Sequence, residues 1–239
     1  MPSPSSRAYT CECRDVKPVP AESRQALLVT APGWNAVAAT LERYERTGAG
    51  VPWLAVGERI PAVLGRNGLA WGRGLATPPL DGPVKEEGDG RSPAGVFRIR
   101  GAFGYAPAAD VPWIRLPYRQ ATAGLKCVDD HASARYNRLV DTAVEPQTWS
   151  RHEEMLRKDD LYRLGAVIGH NDDPTVSGGG SCIFLHAWGG PDRGTAGCTA
   201  VALPRLEDIL HWLDPALCPV LVQLVVEDRE RLRTAWDLP

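Results

Sequence analysis

Short apolar runs separated by turn residues dominate the first quarter of the chain. They occupy residues 25–30, 35–44, 51–56 and 59–64, with Gly57 between the last two runs. Runs that cluster or alternate apolar side chains, bounded by glycine, proline and small polar residues, are typical of β-strands. The pattern therefore predicts a meander of four short strands.

Further strands are predicted later in the chain. Residues 95–100 alternate apolar and basic side chains, which indicates a half-exposed strand. Three apolar runs, at residues 166–169, 182–188 and 219–226, indicate core strands. Because strand patterns outnumber helical ones, we expect a mainly β fold.

Helical patterns are few. Residues 204–213 carry apolar side chains at helical spacing, and Pro204 suits the first turn of a helix. We also expect one short helix near residues 150–158. Residues 65–93 and 101–160 are otherwise expected to form long loops, in keeping with a chain that contains 24 glycines and 21 prolines.

Length and charge narrow the class of protein. The 239 residues are enough to bury one substantial core, so we expect a single domain over residues 23–239 after a disordered or processed tail at 1–22. The chain has 27 basic and 29 acidic residues, a balance that gives no argument for nucleic-acid binding. Since its apolar runs are short, we expect no membrane insertion.

The chemistry of the chain is expected to centre on Cys198. This thiol follows Gly197 in a segment of small residues, twelve positions after His186, which ends the apolar run at residues 182–186. A buried strand would hold the histidine rigidly, and a glycine-rich connection would let the thiol approach the imidazole. A glycine before the cysteine also permits an unusual turn that leaves backbone N–H groups free to face an oxyanion.

These residues carry a family resemblance. The segment Thr195-Ala196-Gly197-Cys198, with the upstream His186, resembles the catalytic core of the L,D-transpeptidase (YkuD-like) family, in which a histidine precedes the pattern Ser/Thr-His-Gly-Cys. Two features depart from that pattern: Ala196 replaces the second histidine, and the His-to-Cys spacing is shorter. The chain therefore resembles a divergent branch of the family.

Other blocks resemble the same branch, in the same order along the chain. Residues 85–97 correspond to the family's Thr-Pro-x-Gly-x-Phe segment. The remaining blocks are Val128-Asp129-Asp130, Tyr136-Asn137 and Gly169-His170-Asn171. The resemblance implies a mixed β-sandwich with short helices and long loops.

The resemblance also implies an activity. Cys198 would attack a peptide carbonyl of a peptidoglycan stem peptide, with His186 as base and the amides near Gly197 as oxyanion donors. An amine acceptor would complete transpeptidation, whereas water would give carboxypeptidase or endopeptidase activity. A different amide hydrolase of the same fold and a non-catalytic cell-wall-binding module stay open as alternatives.

Four further residues are candidates for substrate binding. Thr195 lies in the cysteine motif, and Arg193 suits a substrate carboxylate because a guanidinium binds one through two hydrogen bonds. His170 and Asn171 follow a predicted core strand; they would line the cleft, or His170 would stand in for the imidazole that is missing at Ala196, or both would be structural. The sequence does not determine the oligomeric state.

No cofactor or metal is expected. Cys182 and His186 lie four residues apart on one predicted strand, roughly 13 Å along it at about 3.3 Å per residue. They are therefore too far apart to share one zinc ion. Cys182 is expected to be a buried apolar thiol rather than a disulfide partner.

The amino-terminal residues raise a question of location. The resemblance implies a bacterial periplasm or cell envelope, yet residues 1–20 contain no apolar segment of a secretory signal. Either the signal is absent from this sequence, or the start codon is misassigned, or the protein is cytoplasmic. We favour the first two explanations together over the third.

Overall fold

The computed structural model describes residues 17–79 and 81–239, and strands dominate them. Their bounds are β1 Gln25–Ala31, β2 Ala38–Glu45, β3 Leu54–Val63, β4 Leu69–Trp71, β5 Ser92–Gly104, β6 Tyr118–Gln120, β7 Leu125–Cys127, β8 Leu139–Asp141, β9 Glu153–Glu154, β10 Leu164–Ile168, β11 Phe184–Ala187, β12 Thr199–Val201 and β13 Val220–Val225. The helices are α1 Leu203–Trp212 and α2 Val226–Trp236, with short 3-10 turns at Ala108–Asp110 and Pro215–Leu217. The expected mainly β class is confirmed.

The main sheet closes on itself. Its strands follow the order β10, β11, β12, β3, β2, β1, β13, β5, and β10 also pairs with β5. β4 and β6 add to β5. Two pairs along this path are parallel (β1 with β13, β11 with β12) and the others are antiparallel, so the sheet is mixed, as expected. Closure matters because a paired strand edge cannot template aggregation.

The core forms where β1 and β13 run side by side. Nearly every residue of both strands is buried, and they pair in parallel with Leu27 opposite Leu221. A strand covered on both faces needs a continuous apolar sequence, which these two strands have. α1 closes one side of this core through Leu206, Ile209 and Leu210, which confirms the predicted helical spacing.

Two strand predictions need correction. The two strands predicted over residues 51–64 are one strand, β3, because Gly57 (φ +74°) sits in a bulge instead of a turn and the pairing with β2 resumes beyond it. β5 is almost fully buried rather than half-exposed, since it pairs with β13 and β10 on its two sides.

The helix expected near residues 150–158 is absent from the described residues, and a helix not expected from the sequence, α2, is present. Residues 153–154 form β9 instead, which pairs with β7. α2 is mostly polar and offers little apolar periodicity to detect. Trp236 anchors its end, with its ring 6.2 Å from that of Trp71.

The predicted tail falls mainly on residues 1–16, which lie outside the described residues. Residues 17–22 are described, and Val19, only 1% exposed, packs into the main core. Arg46 holds this segment by donating hydrogen bonds to the carbonyl oxygens of Pro20 and Ser23. The folded part therefore begins before residue 23.

A small second sheet is tied covalently to the main one. β7 pairs with β8 and β9 in this three-stranded sheet. Cys127 at the end of β7 forms a disulfide with Cys182, which lies two residues before β11. The expectation that Cys182 is a buried thiol without a disulfide partner was wrong. Cys127 and Cys182 lie 55 positions apart and come together only in the folded chain, so no local sequence pattern indicates their pairing.

Truncating a leucine should destabilise the protein only where its side chain is buried. We expect Leu221→Ala to lower the free energy of unfolding by about 2–5 kcal/mol, because it leaves a cavity between β1, β5 and β13. Leu54→Ala, at a leucine that is 69% exposed, should change it by less than about 0.5 kcal/mol. Urea unfolding of both variants checks this, and equal losses would contradict the assigned core.

Removing the disulfide should also destabilise the chain. Replacing both Cys127 and Cys182 by Ala should cost roughly 4 kcal/mol, the chain-entropy value for a loop closed over 55 residues. Urea unfolding with and without dithiothreitol provides the check. The reductant should destabilise the parent and leave the double variant unchanged; a parent insensitive to reduction would refute the structural role.

Candidate active site

Cys198 lies buried at the inner end of a cleft, in the residue just before β12. The Phe184 N–H donates a hydrogen bond to its sulfur at 3.3 Å, and the thiol donates to the Cys182 carbonyl oxygen at 3.4 Å. The parallel pairing of β11 with β12 creates these contacts by placing the end of the loop beside the start of β11. The sulfur is thus held in one position.

A tight turn shapes the backbone before the cysteine. Gly197 has φ +157°, a conformation that side chains disfavour, so the glycine is required there, as expected. Its N–H donates to the Thr195 hydroxyl at 3.1 Å, and this hydroxyl and that of Ser92 both donate to the Cys198 carbonyl oxygen, at 2.6 and 2.8 Å. Thr195 therefore braces the turn.

One backbone donor is left over by this turn. Within residues 17–79 and 81–239, no hydrogen-bond acceptor meets the Cys198 N–H. The Gly197 N–H, by contrast, is already taken by Thr195. Among the described residues, the Cys198 N–H is therefore the donor of this turn that has no acceptor.

His186 lies on β11, close to the cysteine but not bonded to it. Its Nδ1 donates to the Ala187 carbonyl oxygen at 2.7 Å. Burial lowers the pKa of His186 to about 4, against carbonyl contacts at Ala187 and Leu161 that raise it. Among the described residues, no hydrogen bond joins His186 to Cys198.

Two residues that sequence analysis missed lie at the thiol. The Tyr162 hydroxyl donates to Glu153 Oε2 at 2.6 Å, and the Tyr162 side chain belongs to the same buried cluster as Cys198. The Tyr162 ring packs edge-to-face on His186, with centroids 5.1 Å apart. No local motif marks either residue, since Tyr162 lies in a loop and Glu153 lies within the predicted helix.

Burial sets the protonation of the resting site. It raises the pKa of Cys198 to about 12, and the nearby Glu153 carboxylate acts in the same direction. The hydrogen bond from the Phe184 N–H lowers the pKa of the thiol but does not offset burial. The resting thiol is therefore protonated, and activation requires a base.

The cleft that holds Cys198 is lined by charges of both signs. It has a volume of about 350 Å³ and includes His186 and Trp188. Its charged lining residues are Arg66, Lys85, Glu87, Asp129, Arg151, Glu153, Arg157 and Arg193. Arg193 lies here as expected, and among the described residues it forms no ion pair.

A comparison with family models identifies the relationship. The model of the L,D-transpeptidase catalytic domain, YkuD, matches residues 53–222, about seven-tenths of the chain, and this span includes His186 and Cys198. The chain belongs to the YkuD L,D-transpeptidase catalytic domain family. No curated protein matches the sequence.

The YkuD family supplies a coarse functional class. Its members are typically enzymes that act on peptidoglycan and are associated with the cell envelope. In the described part of this YkuD chain, no helix has the length and apolar character needed to cross a membrane. The same part contains no cluster of three or more histidine, cysteine or acidic side chains suited to a metal ion.

His170 and Asn171 lie outside the cleft of this YkuD domain. His170 is 1% exposed; its Nδ1 accepts the Arg73 N–H and its Nε2 lies 3.0 Å from the Gly179 carbonyl oxygen. Asn171 bonds the backbone of Val176 and Gly180. Both side chains brace the loop that leads into β11, so His170 does not replace the imidazole that is missing at Ala196.

The blocks that carried the family resemblance converge around this loop. Asn137 accepts the Cys182 N–H at 2.9 Å and donates to the carbonyl oxygens of His170 and Asn171. Tyr136 donates to Glu87, and the Ser181 hydroxyl bonds the same carboxylate at 2.7 Å. These residues hold the segment that precedes β11, the strand next to Cys198.

Buried His170 should make stability depend on pH. Burial lowers its pKa to about 3, so between pH 6.5 and 3 the unfolded chain binds a proton that the folded chain excludes. Stability is therefore lost as the pH falls, by roughly 1.4 kcal/mol per pH unit from this group. Urea unfolding from pH 7 to 4 should show a shallower slope in His170→Gln, by about that amount.

A matched variant controls for general effects of histidine replacement. His131 lies exposed on a loop, so His131→Gln should retain the parent's slope. Glu153, whose pKa burial raises to about 7, acts in the opposite direction, which is why slopes of variants rather than the absolute slope are compared. An unchanged slope in His170→Gln would mean that His170 takes up its proton in the folded state.

Proposed function

We propose that this protein is a cysteine acyltransferase that performs L,D-transpeptidation on peptidoglycan stem peptides. The observation that carries the proposal is the immobilised Cys198 thiol in a charged cleft, within the span that matches the YkuD family. In the first half of the reaction, the Cys198 thiolate attacks a peptide carbonyl carbon. The C–N bond then breaks, leaving a thioester on Cys198.

The developing oxyanion is stabilised by the Cys198 N–H. This donor has no partner among the described residues, so it needs no rearrangement before it binds the negative oxygen. Gly197 contributes by its backbone conformation, which shapes the turn that presents this amide. Thr195 and Ser92 support the same turn through the Cys198 carbonyl oxygen.

His186 serves proton transfer at the reacting groups. With Nδ1 protonated and bonded to Ala187, its Nε2 is the basic nitrogen of the neutral ring. In the first half-reaction Nε2 takes up the proton that the Cys198 thiol gives up and delivers it to the leaving amine. In the second half-reaction Nε2 takes a proton from the incoming amine and returns it to the released Cys198 thiolate. The second amine attacks the thioester, and the new amide leaves Cys198 free.

The charged lining favours a zwitterionic peptide substrate. Arg193 forms no ion pair among the described residues, which leaves its guanidinium for a substrate carboxylate. Asp129 and Glu87 on the same cleft suit an ammonium group. Stem peptides carry both kinds of group, and we infer that the protein meets them in the bacterial periplasm or cell envelope.

Acylation by a carbapenem tests the nucleophile. The strained amide of such a compound acylates an activated thiol, so intact mass should show a single adduct on the parent and none on Cys198→Ala. Cys218→Ala removes a thiol outside this cleft and should keep the adduct. Stem peptides with an amine acceptor then test the transfer itself.

The result that would overturn the proposal is equally concrete. A folded parent that gains no adduct and forms no product from stem peptides would remove the acyl-transfer mechanism. Binding of stem peptides by such a protein would instead assign a cell-wall-binding role. An adduct with product released only to water would assign hydrolysis in place of transfer.

A further inference from the structure

We propose that Cys182 is a positioning residue for the nucleophile: its disulfide to Cys127 fixes a left-handed backbone that holds the Cys182 carbonyl oxygen against the Cys198 thiol. The inference rests on the proposed function, since it concerns the geometry of the same nucleophile. It gives the disulfide a part in the reaction in addition to its part in stability.

The backbone of Cys182 is unusual. Its φ is +55°, in the left-handed region that residues other than glycine rarely adopt. The residue lies two positions before β11 and is 3% exposed. A conformation of this kind persists only where surrounding contacts fix it, and such residues cluster at functional sites.

Two contacts fix the rotation that this φ measures. The Cys182 N–H donates to Asn137 Oδ1 at 2.9 Å, and Asn137 is itself held by the carbonyl oxygens of His170 and Asn171, both at 2.8 Å. On the other side of the N–Cα bond, the disulfide ties the Cys182 side chain to Cys127 at the end of β7. Because Cα is tetrahedral, anchoring the N–H group and the side chain also fixes the direction of the bond to the carbonyl carbon.

The segment at residues 182–184 holds the Cys198 sulfur from two sides. The thiol donates to the Cys182 carbonyl oxygen at 3.4 Å, and the Phe184 N–H donates to the sulfur at 3.3 Å. Phe184 belongs to β11 and pairs with Val167 of β10, so the sheet fixes this donor. Cys182 lies outside the paired strands, so the position of the acceptor depends on the contacts of Cys182 itself.

Holding the sulfur matters for attack on a carbonyl carbon. The sulfur must lie about 3–3.5 Å from that carbon. The carbonyl oxygen must also reach the Cys198 N–H, which has no acceptor among the described residues. Without the Cys182 acceptor, the thiol can rotate out of this position and into the cleft.

That rotation should change two rates in opposite directions. A sulfur turned into the cleft is better solvated, so its thiolate forms more easily and a small alkylating reagent reacts faster. The same sulfur spends less time in the attacking geometry, so acylation becomes slower. A change of this kind distinguishes positioning from a general loss of reactivity.

Two double variants isolate the backbone conformation of residue 182. Both remove the disulfide: Cys127→Ala with Cys182→Ala, the alanine pair, and Cys127→Ala with Cys182→Gly, the glycine pair. Glycine adopts a positive φ about as readily as a negative one, whereas alanine does not. The missing cross-link is common to both pairs, so a difference between them reports the conformation at residue 182.

Alkylation by iodoacetamide is the first measurement, with the rate read at the Cys198 peptide by mass spectrometry. Near neutral pH, the alanine pair should react at least about fivefold faster than the parent, and the glycine pair within about twofold of it, because only the alanine pair exposes the sulfur to the cleft. Leu221→Ala, which weakens the core, should keep the parent's rate while folded and so controls for general destabilisation.

Acylation by a carbapenem is the second measurement. The Cys198 thiol of the alanine pair should be acylated at least about tenfold more slowly than that of the parent, because its sulfur is less often in place for attack. The glycine pair should recover most of the parent's rate. Unchanged acylation in an alanine pair that is alkylated faster would show that holding the sulfur does not serve the reaction.

Other outcomes would overturn the inference directly. Equal alkylation rates in the parent and both pairs would mean that Cys182 does not hold the sulfur. Equal changes in both pairs would assign the effect to the lost cross-link instead of the left-handed backbone. If neither pair folds, Asn137→Ala decides: it keeps the disulfide, removes the acceptor of the Cys182 N–H and should still raise the alkylation rate, so an unchanged rate contradicts the proposal.

The two measurements also separate this inference from the proposed function. If carbapenem acylates the parent but alkylation does not depend on residue 182, the positioning role is wrong and acyl transfer stands. If alkylation follows the expected order while neither carbapenem nor stem peptide reacts with the parent, Cys182 does hold the sulfur and the acyl-transfer proposal falls.

Discussion

Desolvation of the Cys198 sulfur is the constraint around which the site is organised. A thiolate is costly in a buried position, and burial is the largest cause that raises the pKa of the thiol to about 12. The Phe184 N–H hydrogen bond to the sulfur favours the thiolate, whereas the negative charge of Glu153 opposes it.

The fold meets this constraint by joining two separately built parts. The closed main sheet supplies β11 and the Cys198 turn, whose backbone is fixed by parallel pairing and by the Thr195 and Ser92 hydroxyls. The small sheet of β7, β8 and β9 supplies Glu153. The Cys127–Cys182 disulfide joins the two parts close to the reacting sulfur. Stability of the fold and geometry of the site therefore depend on the same bond.

The departure from the family motif at Ala196 has a structural counterpart. A histidine at position 196 would supply an imidazole near Cys198. Among the described residues, no other imidazole is hydrogen-bonded to the Cys198 sulfur. His170, the alternative suggested by the sequence, has both ring nitrogens engaged, Nδ1 by the Arg73 N–H and Nε2 by the Gly179 carbonyl oxygen. The hydrogen bonds to the thiol come instead from the backbone of Phe184 and Cys182.

The sequence by itself determined the elements whose signal is local. Continuous apolar runs identified β1, β11 and β13, helical spacing identified α1, and the Gly-Cys pair with its upstream histidine identified the family. Tertiary structure decided what depends on contacts between distant segments. The disulfide, the single strand through Gly57 and the burial of β5 arise when residues far apart in sequence pack together. Burial and hydrogen bonding at these contacts depend on the packed interior, so they cannot be predicted from any short stretch of the sequence.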